Sequence, residues 1–183
     1  VGAGASDSDL VRRLRSRHPG AFDELYRQHR EPLWRFVRQL AGRTDAAHEI
    51  FQDTWVAVAR HAHGLREDTA LRTWLFTIAR NRCRNAARDG LFEARRRESV
   101  RGEPLPGPPA PDVEVDQRRR AREVATALAS LPEAHREVLL LCVVEGLETQ
   151  DVARILNMTP EAVRKRLSRA RADLAARVGR KDE

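Results

Sequence analysis

Lysine is almost missing from this chain: of 34 basic residues, only Lys165 and Lys181 are not arginine. Cationic contacts must therefore be made by guanidinium groups, whose planar fork suits phosphate and guanine edges. Aromatic residues make up only 5% of the sequence, which excludes an aromatic-rich core and leaves aliphatic packing to hold it. Cysteine occurs twice, at Cys83 and Cys142, with no Cys-x-x-Cys spacing. That excludes a disulfide framework or zinc ribbon and predicts buried free thiols in a reducing compartment. The longest apolar run, Val138 to Val144, is far short of the roughly 20 residues a membrane span needs. Val1 to Asp9 is small and acidic rather than basic then apolar, so no secretory leader is expected. The expectation is a soluble, cytoplasmic protein with no membrane insertion. No alternating period-two run or hairpin signal is present, which points to an all-α fold.

What the chain does have is positive charge and helical punctuation. The formal net charge is +7 and the isoelectric point about 10.7, values that suit a polyanionic partner. The densest punctuation lies in TQDVARILNMTPEAVRKRLSRARADL, Thr149 to Leu174. Val152, Ala153, Ile155 and Leu156 form one inward stripe, and Asn157 tolerates the left-handed backbone of a sharp helix stop. Thr159 suits an N-cap and Pro160 the first helical position. Val163, Leu167, Ala170 and Leu174 then recur at helical spacing, leaving Arg164, Lys165, Ser168, Arg169 and Arg171 outside. A short helix, a tight turn and a basic second helix make a helix-turn-helix that can enter the DNA major groove. An ordinary helical hairpin with a solvated basic face is the alternative.

Five of the nine prolines fall between Pro104 and Pro111, a segment that can be neither helix nor central strand. It predicts a flexible linker over residues 91–116 between two small helical domains, residues 1–90 and 117–183. In the first domain Ser8 is expected to cap a helix over Asp9–Arg17, and Pro19 to open one holding Phe22, Leu25 and Tyr26. Pro32 should start or kink the next helix, which carries Leu33, Phe36, Val37 and Leu40 and ends at Gly42. Thr44 should cap a helix with Ala47, Ile50, Phe51, Thr54, Val58 and His61 inward, and Thr69 a last one with Leu71, Trp74, Leu75, Ile78 and Cys83. In the second domain Val124, Leu128 and Leu131 mark a helix that Pro132 ends. A near-continuously apolar helix then runs to Gly146, with a buried strand over Val138–Val144 as the alternative.

Two further stretches carry chemistry. In ALRTWLFTIARNRCRNAAR, Trp74 and Phe76 sit among Arg72, Arg80, Arg82, Arg84 and Arg88, with Asn81 between. Rings, guanidinium groups and an amide suit unpaired bases and their phosphates, although Trp74 also fits a core stripe. In DAAHEIFQDTWVAVARH, Glu49, Gln52 and Asp53 lie about one turn apart and could dock a basic protein or be plain solvated surface. A stand-alone regulator is one rival reading, but no receiver-like strands or acidic phosphorylation site precede the helix-turn-helix. An enzyme is another: His61-x-His63 with Asp53 could hold a metal, but His63 is expected in a loop, no further spaced ligand presents itself, and no cofactor is expected.

These stretches, in this order, resemble the extracytoplasmic-function (ECF) sigma factors of bacterial RNA polymerase. AFDELYRQHREPLWRFVRQLAG resembles the start of that family's region two, and the segment from Val124 to Leu174 is similar to region four. The resemblance implies a non-enzymatic protein that binds core RNA polymerase and directs promoter recognition and opening. Its implied partners are core polymerase (the β′ coiled coil and the β subunit), promoter DNA and an anti-sigma factor. Glu49, Ile50, Phe51, Gln52 and Asp53 match the polymerase-docking motif. Asn81 matches the residue that captures a flipped base of the −10 element, with Arg72, Trp74, Arg80, Arg84 and the loop residue His63 around it. Arg164, Lys165, Ser168 and Arg169 match positions facing the −35 element. Arg166 and Arg171 would hold phosphates, and Thr149 and Gln150 the DNA backbone. Ala46 and His48 depart from the family by replacing acidic residues, and Asn157 by replacing glycine.

Overall fold

The computed structural model describes residues 4–42, 44–88 and 115–178, and all regular structure among them is helical. In chain order the helices are α1 (Gly4–Arg15), α2 (Ala21–Ala41), α3 (Thr44–His61), α4 (Leu71–Arg88), α5 (Val115–Ala129), α6 (Glu133–Leu139), α7 (Thr149–Leu156) and α8 (Pro160–Val178). A short 3-10 turn, Ala62–Gly64, follows α3. Pro104 to Pro111 lies outside the described residues. None of these helices is long and apolar enough to cross a membrane.

In the first half, α2, α3 and α4 pack pairwise around Leu25, Leu33, Phe36, Val37, Val58, Leu71, Leu75 and Phe76, with α1 laid against α2. Phe36 and Phe76 meet edge to face at 5.1 Å between ring centroids. In the second half, α8 packs against α5, α6 and α7, enclosing Leu128, Val138, Leu141, Val152, Ile155, Val163 and Ala170. Aliphatic residues dominate both, as the shortage of aromatics predicts.

Several local expectations need correcting. α1 begins at Gly4, so Ser8 lies inside the helix instead of capping it. Of the two roles expected for Pro32, starting a helix does not hold: α2 runs through it for 21 residues. A mid-helix proline removes one hydrogen bond at a cost of about 3 kcal/mol. Buried Leu25 on one side and Leu33, Phe36 and Val37 on the other keep both halves of α2 on one core and offset that loss. Gly42 does end the helix, at φ 69°, donating its N–H to the Arg38 carbonyl. His61 is exposed, and Val124 is 44% exposed.

Val138–Val144 is helical, not a strand, but its final turn, Leu140–Val144, is a π turn. The Glu145 N–H reaches back to the Leu140 carbonyl at 2.8 Å. Val143 and Val144, the last residues of this turn, face solvent, and Glu145, which follows it, is buried.

The helix-turn-helix closes as expected. Asn157 adopts φ 53° and ψ 55°, and the Met158 N–H bonds the Ala153 carbonyl at 2.9 Å. The Thr159 hydroxyl accepts from the Ala162 N–H at 3.2 Å, a helix N-cap. Thr159→Ala should therefore lower unfolding free energy by about 1 kcal/mol, readable as an earlier denaturant midpoint with an unchanged slope.

The two halves do not stand apart. α7 packs on α4 and α6 on α2, so the buried side chains form one continuous cluster. Charged residues stitch this seam. Arg80 of α4 donates to both carboxylate oxygens of Glu137 on α6, at 2.9 and 3.3 Å, and to the Ile155 carbonyl at 3.3 Å. Arg136 donates to the Gln39 carbonyl at 3.1 Å.

Candidate nucleic-acid interface

The site residues fall on three surfaces, and the helices that carry them are fixed by the packing just described. On α8, buried Val163 and Ala170 turn Arg164, Lys165, Ser168, Arg169 and Arg171 outward, and all five are exposed. Arg166 is half-buried on the flank. Lys165 is held by Glu161 one turn back at 2.8 Å. Arg164, Arg169 and Arg171 have no hydrogen bond or ion pair among the described residues, so their guanidinium groups are available to a ligand. Thr149, half-buried, and Gln150, exposed, sit at the N-terminus of α7, where free N–H groups favour an anion. A His135–Asp173 contact at 2.7 Å and an Arg177–Ser130 contact at 3.2 Å lock α8 to the helices behind it.

The α4 surface is divided. Asn81 and Arg84 are exposed and unpaired among the described residues, and His63 is exposed on the 3-10 turn. The loop beside it is braced: Leu65 is buried, and Arg15 of α1 bonds Glu67 at 2.7 Å. Trp74 is half-buried against the core, whereas Phe76 is wholly inside it. Arg72 is half-buried and Arg80 buried, and both are bonded to acidic residues of the second half. Arg80 thus lies in the seam, not on the open surface that the interleaved pattern predicts.

On α3, Glu49, Gln52 and Asp53 are exposed and carry no bond among the described residues, which leaves an acidic face free. Ile50 is buried at 4% exposure and belongs to the core. Phe51 is half-buried, its ring edge-on to Trp34 at 5.3 Å, and His48 lies over the same indole at 4.5 Å. Of the five docking candidates, the three polar ones share the accessible face; Phe51 borders it and Ile50 supports it from beneath.

Both thiols are free. Burial pushes the Cys83 thiol up to about 12, with Glu137 and Glu133 adding to the rise, so it is inert at neutral pH. Burial also raises Cys142.

Sequence reasoning missed Glu137 and Glu145. Their side chains are 4% and 1% exposed, and both face arginines of the first half. Burial raises the Glu145 carboxyl, and Arg35 and Arg72 oppose that rise. The available signal was an acidic residue at each end of the apolar run VLLLCVV, since a charge on a buried helix needs a partner.

Comparison with known proteins agrees with this architecture. The family profile described as Sigma-70 region 2 matches residues 25–91, and that described as Sigma-70, region 4 matches residues 121–174, together well over half of the chain. The ECF sigma factor SigM of Mycobacterium tuberculosis is 30% identical over 95% of this chain and 85% of its own length. A probable sigma factor, RfaY of Xanthomonas campestris, is 36% identical over 74% of this chain, which spans only 34% of that longer protein. Among solved structures, CnrH in complex with the cytosolic domain of CnrY matches at TM-score 0.70 and 26% identity, covering 93% of this chain and 95% of that one. RpoE of Bartonella quintana, solved with the anti-sigma factor NepR, matches at TM-score 0.73 and 25% identity, covering 87% and 98%.

Two linked helical modules, matching sigma regions two and four, define a promoter-recognition subunit of the sigma-70 type. Within that class the chain belongs to the ECF sigma factors of bacterial RNA polymerase, which direct the initiation of transcription.

Proposed function

We propose that the two modules divide the work of promoter recognition. Residues 1–90 dock on core polymerase through Glu49, Gln52 and Asp53, with Phe51 and Ile50 shaping that face, and read the −10 element through Asn81, Trp74, Arg72, Arg84 and His63, while Arg80, buried against Glu137, braces α4 from behind. Residues 117–183 read the −35 element as duplex, through Arg164, Lys165, Ser168 and Arg169, while Arg166, Arg171, Thr149 and Gln150 hold its backbone. Residues 91–116 tether the two. The observation that supports this most is the unpaired guanidinium face of α8, standing on a capped helix-turn-helix.

The chain itself performs no chemistry on this reading; its contribution is binding energy. Each module alone should hold promoter DNA weakly, and fixing both on one polymerase raises effective concentration. Capture of an extruded base offsets part of the few kcal/mol that unpairing costs. Transcription takes place in the cytoplasm, which is where the reading puts the protein. Because CnrH and RpoE were solved with CnrY and NepR, we place an anti-sigma factor among its partners.

Arg169→Ala tests the −35 assignment. Loss of a bidentate contact to guanine should cost about 1–3 kcal/mol on the preferred element and flatten the preference at that base. A uniform loss across all −35 variants would instead make Arg169 a phosphate contact.

A further inference from the structure

A cleft of about 410 Å³ opens where the end of α1, the start of α2 and the end of α3 meet. Backbone geometry makes it. α1 stops as the Arg17 N–H bonds the Leu14 carbonyl at 3.1 Å and the His18 N–H bonds the Arg13 carbonyl at 2.8 Å. Arg17 takes φ 52° in that stop, where glycine would be the unstrained choice, and Gly20 at φ 79° then turns the chain into α2. The 3-10 turn after α3 adds His63 to the lining.

That lining has two characters. Leu14, Ala21 and Ala62 are buried and apolar, a floor to which half-buried Phe22 adds a ring. Phe22 is itself backed by Trp55, edge to face at 5.9 Å between centroids. Arg17, His18, Arg60 and His63 are exposed and form a cationic rim, with no carboxylate among the described residues of the lining. The Arg17 and Arg60 guanidinium groups have no hydrogen bond or ion pair among the described residues. Glu24 and Glu67 are engaged elsewhere, by Arg13 and Arg15, and exposed Asp23 lies outside the lining.

We propose that this cleft binds a nucleotide, its phosphate on Arg17 and Arg60 and its ring on the apolar floor beside Phe22. The volume falls within the range of about 300–1,000 Å³ that small-ligand sites occupy, and an apolar floor with a few polar groups is how such sites orient a ligand. Unpaired guanidinium forks match phosphate oxygens two at a time. A bare anion would leave the floor unused, and an uncharged ring would leave the rim unused. Two sources supply this chemistry: a free nucleotide, or an unpaired nucleotide of an opened DNA strand. The cleft stands independently of the −10 reading, although His63 belongs to both.

The test uses the full chain without polymerase, titrated with ATP by calorimetry and with a labelled single-stranded thymidine oligonucleotide by fluorescence anisotropy. One variant carries Arg17→Gln and Arg60→Gln together and removes the rim. A second, Ala59→Phe, fills the cleft from an exposed lining position and leaves the charge unchanged. A control with Arg27→Gln and Arg30→Gln, both exposed on α2 and outside the lining, makes the same change in net charge as the first. The expected result is saturable binding by the parent, weakened at least about tenfold in both cleft variants relative to the control. A loss confined to ATP identifies a free nucleotide, and a loss confined to the oligonucleotide identifies a strand nucleotide. Thermal melts that match the parent show that the fold is kept.

A parent that binds neither probe would refute the site. So would cleft variants that bind as well as the control. A loss on Arg17→Gln with Arg60→Gln that Ala59→Phe does not reproduce would reduce the arginines to diffuse surface charge and refute the cleft. Asn81→Ala in the DNA arm keeps the −10 reading separate: a loss there, with the cleft variants equal to the control, overturns the cleft and leaves Asn81 in place.

Discussion

Reversing charge on the free face of α3, with Glu49→Arg and Asp53→Arg together, is expected to abolish chain-dependent transcription. Both side chains are exposed and bonded to nothing among the described residues, so their loss strands no partner inside the fold. Surface changes of that kind usually move stability by no more than about 0.5 kcal/mol. Binding is another matter, since like charge placed against a matched basic surface costs several kcal/mol. About 3 kcal/mol across the pair would weaken association with core polymerase by more than about a hundredfold. Titration of labelled protein against core polymerase checks this, with a denaturant melt confirming that the fold is kept. Wild-type affinity in the double variant would remove α3 from the docking surface. Ile50 is a poor probe by comparison: buried in the core, its truncation would cost stability before it reported on docking.

The second large effect is expected at Asn81. Asn81→Ala removes an exposed, unpaired amide, so fold and polymerase binding should be untouched. Promoter opening should fall by about ten- to a hundredfold if the amide makes the base contacts that hold an unstacked nucleotide, a loss of roughly 1–3 kcal/mol. Permanganate reactivity of the bubble measures this directly. An unchanged footprint would mean that Asn81 does not hold the base. The contrast with Arg80 is informative: Arg80→Ala should also change the seam, because its partner Glu137 would be left buried and alone.

The helix-turn-helix was legible in the sequence because its signals are local. Asn157, Thr159 and Pro160 dictate backbone geometry within a few residues, and the stripes on either side decide which arginines face out. Gly42 and Pro132 punctuated their helices for the same reason. Pro32 misled because its local cost was outweighed by contacts with residues distant in sequence. The π turn was illegible: one extra residue per turn leaves the apolar run looking helical all the way to buried Glu145. The seam was hidden for a related reason. Arg80 and Glu137 lie 57 positions apart, and nothing near either one announces the other. Alternating arginines on α4 suggested an open cationic surface, and only tertiary packing divides them into free and engaged groups.

On the proposed division of labour, this chain steers core polymerase to start sites by reading two promoter elements at once. Run-off transcription with sigma-free core polymerase, over a template library varied at both elements, tests it most directly. The prediction is a set of transcripts that appear only when the chain is added, that begin at fixed points, and that require a preferred sequence at each element. Transcripts indifferent to the −35 sequence, or none that depend on the chain, would contradict it.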